Sequence, residues 1–136
     1  PYLPTSTLHQ ILVRNVRSSK IPDDRIIQLL HELNLERVLA QAGGLDAEKD
    51  WEKLLSLQEQ QLLALVNILL AAPQFVFLDR IDTTLGLEQL PRILQILSEN
   101  SITCINNAET DVLRDCHDAV LECGEDGSWT WTVNRA

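Results

Sequence analysis

The sequence predicts an α/β fold, and three features of the chain carry that prediction. Apolar residues recur at helical spacing between residues 22 and 42, a long apolar helix pattern stops before Pro73, and short β-rich runs follow it. With 45% hydrophobic and 23% charged residues among 136, the composition is that of an ordinary globular domain. The net charge of -9 makes nucleic acid a poor partner.

The first third of the chain is predicted to be helical. "TSTLHQILV", residues 5–13, places capping hydroxyls ahead of apolar residues and predicts a short helix. Pro22 opens a second helix, since proline suits a helix start. The apolar stripe of this helix is predicted at Ile26, Ile27, Leu30 and Leu33. Residues 35–42 predict a further helical piece that ends at the Gly43–Gly44 pair.

The centre of the chain predicts a loop, a buried helix and a strand. Residues 45–55, "LDAEKDWEKLL", read as an acidic loop. Ser56 then caps "LQEQQLLALVNILLAAP", with Glu59 three residues later as in a capping box. This helix is apolar almost all round, which predicts burial. "QFVFLD", residues 74–79, shows no polar alternation and therefore predicts a strand covered on both faces.

The last third predicts one more helix and three strands. "GLEQLPRILQILSE" is an amphipathic helix with Pro91 in its first turn. "SITCIN" predicts a second buried strand and "DVLRDC" a short helix. "DAVLEC" and "SWTWTV" predict a hairpin that turns at "GEDG". Trp129 and Trp131 share one face of its second strand, where they are interpreted as packing or edge residues.

The sequence carries no disulfide framework, zinc pattern or membrane span. Cys104, Cys116 and Cys123 are odd in number, which favours a reducing compartment. His117 beside Cys116 lacks the paired spacing of zinc sites. The most apolar run, residues 62–72, is shorter than the roughly 20 residues a membrane span needs. No secretory signal leads the chain and no Met begins it, so a cytoplasmic location and a trimmed N-terminus are expected.

Residues 55–79, "LSLQEQQLLALVNILLAAPQFVFLD", resemble the signature helix and the following magnesium-binding strand of an ABC-transporter ATPase domain. The flanking "AGGLDAEKDWEKLLSL" and "PYLPTSTLHQILV" are similar to the branch of peroxisomal fatty-acyl transporters and bacterial SbmA-like uptake proteins. The resemblance implies a helical subdomain and docking segment over residues 1–54, where Trp51 is expected on the docking surface. Over residues 55–136 it implies the signature helix and the C-terminal half of a RecA-like (P-loop NTPase) core, with a mostly parallel sheet and a terminal hairpin.

The same resemblance implies site positions that have changed in this chain. Asp79 stands at a magnesium-binding position, but Arg80 stands where a carboxylate would activate water. A guanidinium stays protonated and only donates hydrogen bonds, so it cannot act as that base. Gly86 replaces an aspartate that couples the two sites of a dimer. Glu109 stands where a switch histidine contacts the γ-phosphate, with Asn107 as the alternative alignment.

The signature segment, residues 56–59, is expected to face a partner's nucleotide through Ser56, Gln58 and Glu59. Gln58 replaces a glycine, and its side chain would crowd the nucleotide. Leu62 replaces an arginine that supports this loop in the family. The 136 residues contain no G-x-x-x-x-G-K-[S/T] phosphate loop, so nothing in them can wrap backbone amides around ATP phosphates.

These changes lead to an expected function and an alternative. The first is a degenerate ABC-transporter ATP-binding segment that is non-catalytic by itself, with Mg-ATP held only in a complete or dimeric assembly. The alternative is a non-catalytic interaction or dimerisation module that docks on a membrane transporter component, and exposed apolar sheet would favour self-association. In both cases the expected partners are the transmembrane domain of an ABC transporter and a homo- or heterodimer mate, with no nucleic acid and no direct membrane insertion.

Overall fold

The computed structural model describes residues 5–14, 16, 21–107 and 111–134, and of residues 111–113 it describes the backbone alone. Helices and strands alternate along the chain, as the α/β prediction requires. The elements are β1 (Ser6–Thr7), α1 (Leu8–Leu12), α2 (Asp23–Glu32), α3 (Glu36–Ala42), β2 (Glu48–Lys49), α4 (Trp51–Leu54), α5 (Leu57–Ala71), β3 (Phe75–Asp79), α6 (Asp82–Leu85), α7 (Leu90–Glu99), β4 (Thr103–Asn107), a 3₁₀ helix (Asp111–Cys116), β5 (Ala119–Cys123) and β6 (Trp129–Val133).

The predicted helices of the first third are present, with one error in the buried stripe. A capping box starts α1, because Thr7 Oγ1 accepts from the Gln10 backbone amide at 3.1 Å and Gln10 Oε1 accepts from the Thr7 backbone amide at 3.0 Å. In α2 the prediction is wrong at Ile27, which is 42% exposed. Leu29 is fully buried instead. The buried residues follow i, i+3, i+4, i+7 spacing and are Ile26, Leu29, Leu30 and Leu33.

The acidic loop predicted at residues 45–55 contains two short elements. There β2 pairs antiparallel with β1, with Ser6 opposite Lys49, and α4 follows. The Trp51 side chain is completely buried, and its indole N–H donates to the Ser6 carbonyl at 2.8 Å. The expectation that Trp51 lies on a docking surface is therefore wrong. Trp51 instead packs in the core and bonds to Ser6 of β1.

Helix α5 lies at the centre of the core. Both α1 and α2 pack against it, and its inward residues are Leu62, Leu63, Leu65, Val66 and Leu69. Asn67, which interrupts the apolar run, donates through Nδ2 to the carbonyls of Leu12 and Arg14 at 2.8 and 2.5 Å. These bonds tie the end of α1 to the middle of α5. As predicted, α5 ends shortly before Pro73.

Strands β3 and β4 form a parallel pair with Phe75 opposite Thr103 and Asp79 opposite Asn107. One face packs inward, where Leu78 is buried and Val76 and Cys104 lie against the core. Burial raises the pKa of the Cys104 thiol to about 11. The opposite face is open, since Phe75, Phe77 and Ile105 are 63%, 65% and 52% exposed. The prediction that both strands are covered on two faces is therefore wrong within the described residues.

The predicted terminal hairpin is confirmed, with Leu121 opposite Trp131 in an antiparallel pair. At the open end of the hairpin, the backbone amide of Asn134 donates to the Asp118 carbonyl at 2.7 Å. At the turn, hydrogen bonds from the Ser128 hydroxyl and amide lower the pKa of Asp126. One face of the hairpin is apolar and exposed, and it carries Leu121, Trp129, Trp131 and Val133.

None of the helices in the described part of the chain combines the length and the apolar character that crossing a membrane requires.

Candidate functional site

Asp79, Arg80 and Asn107 meet at the carboxyl edge of the β3–β4 pair. They meet there because parallel strands end at the same edge of a sheet. Asn107 Nδ2 donates to Asp79 Oδ1 at 2.8 Å. The Arg80 amide donates to the Asn107 carbonyl at 2.9 Å. Asn107 thus holds both the last residue of β3 and the residue after it.

The backbone of Arg80 is fixed in an uncommon conformation. Its φ of 55° lies in the left-handed region, which few residues other than glycine occupy. The Arg80 carbonyl accepts from Thr83 Oγ1 at 2.8 Å and from the Thr83 amide at 3.3 Å. Its side chain is exposed at the strand end. The geometry therefore fixes a permanent cation directly after Asp79.

This edge does not make a complete magnesium site by itself. Magnesium takes carboxylate, phosphate and water oxygens in an octahedral set. In residues 5–14, 16, 21–107 and 111–134, no group of three or more His, Cys, Asp and Glu side chains is arranged to hold a metal ion. Asp79 supplies one carboxylate, and one of its oxygens already accepts a hydrogen bond from Asn107. Any further ligands would have to come from outside this edge.

Gly86 is required by the turn that ends α6. Its φ of 82° and ψ of 157° are accessible almost only to glycine. A Cβ at this position would meet no atom within 4 Å, so the constraint comes from the backbone torsion and not from crowding. An aspartate at position 86 would thus be strained in this conformation.

Glu109, the expected switch position, lies outside the described residues. The alternative position, Asn107, is described, and its side-chain amide donates to Asp79. Asn106 faces the opposite side of β4, with Nδ2 3.4 Å from His117 Nε2. Neither asparagine carries a positive charge, so neither could replace a cationic histidine.

The signature segment, residues 56–59, forms the predicted capping box at the start of α5. Ser56 Oγ accepts from the Glu59 amide at 3.1 Å, and Glu59 Oε1 accepts from the Ser56 amide at 3.0 Å. Gln58 is half-buried, whereas Leu57 is 56% exposed. Ser56 and Glu59 are therefore held together by reciprocal bonds, with the bulky Leu57 and Gln58 between them.

Arg37 is a site residue that sequence reasoning missed. Its guanidinium, carried by α3, forms an ion pair with Glu59. Burial raises the pKa of Glu59, but the hydrogen bonds from the Ser56 amide and hydroxyl and the pairing with Arg37 outweigh burial and lower it. No local signal could have found this pair, because 22 residues separate its members and they lie on different helices.

No protein-family model matches the chain, but curated relatives do. An uncharacterized ABC transporter ATP-binding protein from Synechocystis is 30% identical over 129 residues, which cover 95% of this chain and 20% of that protein. The chloroplastic ABC transporter D family member 2 of Arabidopsis thaliana is 29% identical over 82% of this chain and 16% of its own length. The mouse lysosomal cobalamin transporter ABCD4 is 27% identical over 97% and 23%. The chain thus spans about a fifth of the length of these relatives.

Two solved structures share the fold at low sequence identity. CbiO1 from Clostridium perfringens, part of the ABC transporter complex cbiONQ, superposes with a TM-score of 0.63 at 19% identity, over 88% of this chain and 47% of CbiO1. An inward-facing putative metal-chelate type ABC transporter superposes with a TM-score of 0.65 at 15% identity, over 98% of this chain and 55% of the other. The common fold therefore accounts for about half of each of those chains.

Proposed function

Because this chain is a homologue of the ATP-binding proteins of ABC transporters and shares their fold, we propose that it forms the C-terminal portion of an ATP-binding domain that does not hydrolyse ATP at its own site. The observation that carries the proposal is Arg80, fixed at the end of β3 where hydrolysis would need a carboxylate.

Arg80 removes the acid–base chemistry of hydrolysis. A base that takes the proton of the attacking water contributes roughly 10²–10⁴-fold to the rate of such reactions. Arginine cannot accept that proton at any physiological pH. The Arg80 amide and carbonyl are both hydrogen-bonded, and Asn107 holds Asp79, so the backbone here has little freedom to bring another residue into place.

Other positions support the same proposal. Gly86 adopts the positive φ that its turn requires. It has no carboxylate with which to couple the two nucleotide sites of a dimer. If Glu109 faces a γ-phosphate, two like charges about 4 Å apart at an effective dielectric near 20 would repel by roughly 4 kcal/mol. Gly86 therefore removes a group that couples two nucleotide sites, and Glu109 would oppose binding of the γ-phosphate. Like Arg80, both changes act against ATP hydrolysis.

Mg-ATP binding, in this proposal, belongs to a larger assembly. The open face of β3–β4 and the apolar face of the hairpin are covered by the remaining half of an ATP-binding core, since parallel sheets in α/β folds are covered on both faces. The helical part, up to residue 54, docks on the transmembrane domain of an ABC transporter. A dimer mate and a cytoplasmic location beside the membrane follow from such an arrangement.

Nucleotide binding and turnover by the purified chain test the proposal. The wild-type chain and the Arg80→Glu, Glu109→His double variant are both expected to give no ATP hydrolysis above a buffer blank. An Arg14→Glu variant, which makes the same charge change as Arg80→Glu at an exposed residue far along the chain, serves as the control. Hydrolysis by the wild-type chain would contradict the proposal. Hydrolysis by the double variant but not by the control would contradict its claim that Mg-ATP binding needs a larger assembly.

One observation favours the alternative function, an interaction or dimerisation module. The β3–β4 pair and the hairpin each leave an apolar face exposed, and such faces favour association between separate copies. Sedimentation velocity distinguishes the two functions. A self-association module gives a concentration-dependent dimer that Phe77→Ser and Trp131→Ser disperse, whereas the main proposal gives a monomer that binds a polypeptide supplying the other half of the core.

A further inference from the structure

We propose that Arg37 is a positioning residue for the signature segment: its guanidinium reaches from α3 to Glu59 and so holds Ser56 and Glu59 in their reciprocal arrangement. The inference rests on the proposed function, in which this segment faces a partner's nucleotide. It adds a residue, from a different helix, that determines whether the segment is ordered.

The signature segment needs a cation from elsewhere in the fold. Between Lys53 and Arg80 the sequence contains no Lys or Arg, so α5 has no basic side chain of its own. Glu59 nevertheless keeps a carboxylate that is only 13% exposed. A sheltered carboxylate is costly without a partner of opposite charge. Arg37, with a side chain that is 59% exposed, supplies that charge from the surface.

Glu59 is the point at which three bonds converge. Its Oε1 accepts from the Ser56 amide at 3.0 Å and from the Arg37 guanidinium, while its own amide donates to Ser56 Oγ. A carboxylate at this place also complements the positive end of the α5 dipole.

The position of Arg37 is itself set by the core. Leu35 and Val38, on either side of Arg37, are fully buried, and α3 packs on α2, which packs on α5. The neighbouring Glu36 carboxylate lies 2.6 Å from His31 Nδ1 and so has a partner of its own. A displacement of the helical part would therefore reach the signature segment through the Arg37–Glu59 pair.

Nuclear magnetic resonance of the full chain tests this inference without any nucleotide. The ¹³C shift of the Glu59 carboxyl is followed over a pH titration, and hydrogen exchange of the Ser56 amide is measured beside it. Arg37→Gln is expected to raise the pKa of Glu59 and to speed Ser56 exchange roughly fivefold, the upper value for an exposed ion pair. Arg37→Lys should restore most of the pKa change, and Arg14→Gln should alter neither readout.

A second variant separates positioning from general stability. In Glu59→Gln the amide oxygen can still accept from Ser56, but the charge that Arg37 pairs with is gone. Adding Arg37→Gln to that background should then leave Ser56 exchange unchanged. An unchanged Glu59 titration and unchanged Ser56 exchange in Arg37→Gln would overturn the inference. Because no nucleotide is present, that failure is distinct from ATP hydrolysis, which would overturn the proposed function instead.

Discussion

The helices and the strands β3 to β6 differ in how completely they bury their apolar residues. Every helix from α1 to α7 contributes to one continuous core, and within the described residues that core contains nothing beyond Ile102. The hairpin leaves two tryptophans in solvent, and β3 leaves two phenylalanines there. The helices therefore bury their apolar residues within this chain, whereas the sheets present apolar surfaces suited to a partner.

The largest predicted effect is on the free energy of unfolding when a tryptophan is replaced, and it should differ between the buried Trp51 and the exposed Trp131. Trp51→Ala should lower the free energy of unfolding by about 3–5 kcal/mol, because it removes a fully buried ring and its bond to the Ser6 carbonyl. Trp131→Ala should change it by no more than about 0.5 kcal/mol, since Trp131 is exposed. Urea unfolding of both variants measures the two values. Equal losses would mean that the hairpin is packed as tightly as the helical core.

The next largest loss of stability is expected when the hydrogen bonds from Asn67 of α5 to the end of α1 are removed. Asn67→Leu should cost about 1–3 kcal/mol, because the carbonyls of Leu12 and Arg14 lose their donor in a partly buried setting. Gln95→Leu is the matched control, since the Gln95 side chain bonds to Glu99 on the exposed side of α7. Urea unfolding midpoints provide the comparison. A control as destabilised as Asn67→Leu would show that this tie has no special role.

A similar loss is expected at the end of α6. Gly86→Ala should destabilise the chain by about 1–3 kcal/mol, because alanine is strained at a φ of 82° although its Cβ has room. Thr84→Ala, two residues earlier and inside α6, has no positive φ and should cost less. Thermal unfolding of the two variants measures the difference. A neutral Gly86→Ala would mean that the turn relaxes to another conformation.

The smallest predicted effect is a pH dependence from Glu59. Since the pKa of Glu59 is lowered in the folded state, its stabilisation is present above its ordinary pKa of 4.5 and is lost as the pH falls through the folded value. Glu59→Gln should therefore flatten the fall in stability below pH 4.5 without changing its slope near pH 7. Urea unfolding at intervals of half a pH unit checks this, and an unchanged acid slope would contradict it.

Local patterns predicted the parts of this fold that depend on neighbouring residues. The capping box of Ser56 and Glu59, the helix with Pro91 in its first turn and the terminal hairpin are each encoded within a few residues. Trp51 with Ser6 and Arg37 with Glu59 could not be predicted, because their partners lie 45 and 22 residues away.

Strand burial was mispredicted for a different physical reason. An apolar run such as residues 75–78 has the same sequence pattern whether its second face is covered by this chain or by another polypeptide. The site edge was predictable only in part. The resemblance indicated Asp79 and Arg80, but the role of Asn107 depends on the register of β3 with β4, which the sequence does not reveal.

The central claim is that this chain contributes one half of an ATP-binding core and lacks the group that activates water. Isothermal titration with Mg-ATP tests it most directly, first on the chain alone and then on the chain mixed with the N-terminal half of a homologous ATP-binding domain. The account predicts no binding by the chain alone and, in the mixture, binding without release of phosphate. Saturable Mg-ATP binding by the chain alone that is lost in Asp79→Asn, or phosphate release by the mixture at this site, would contradict it.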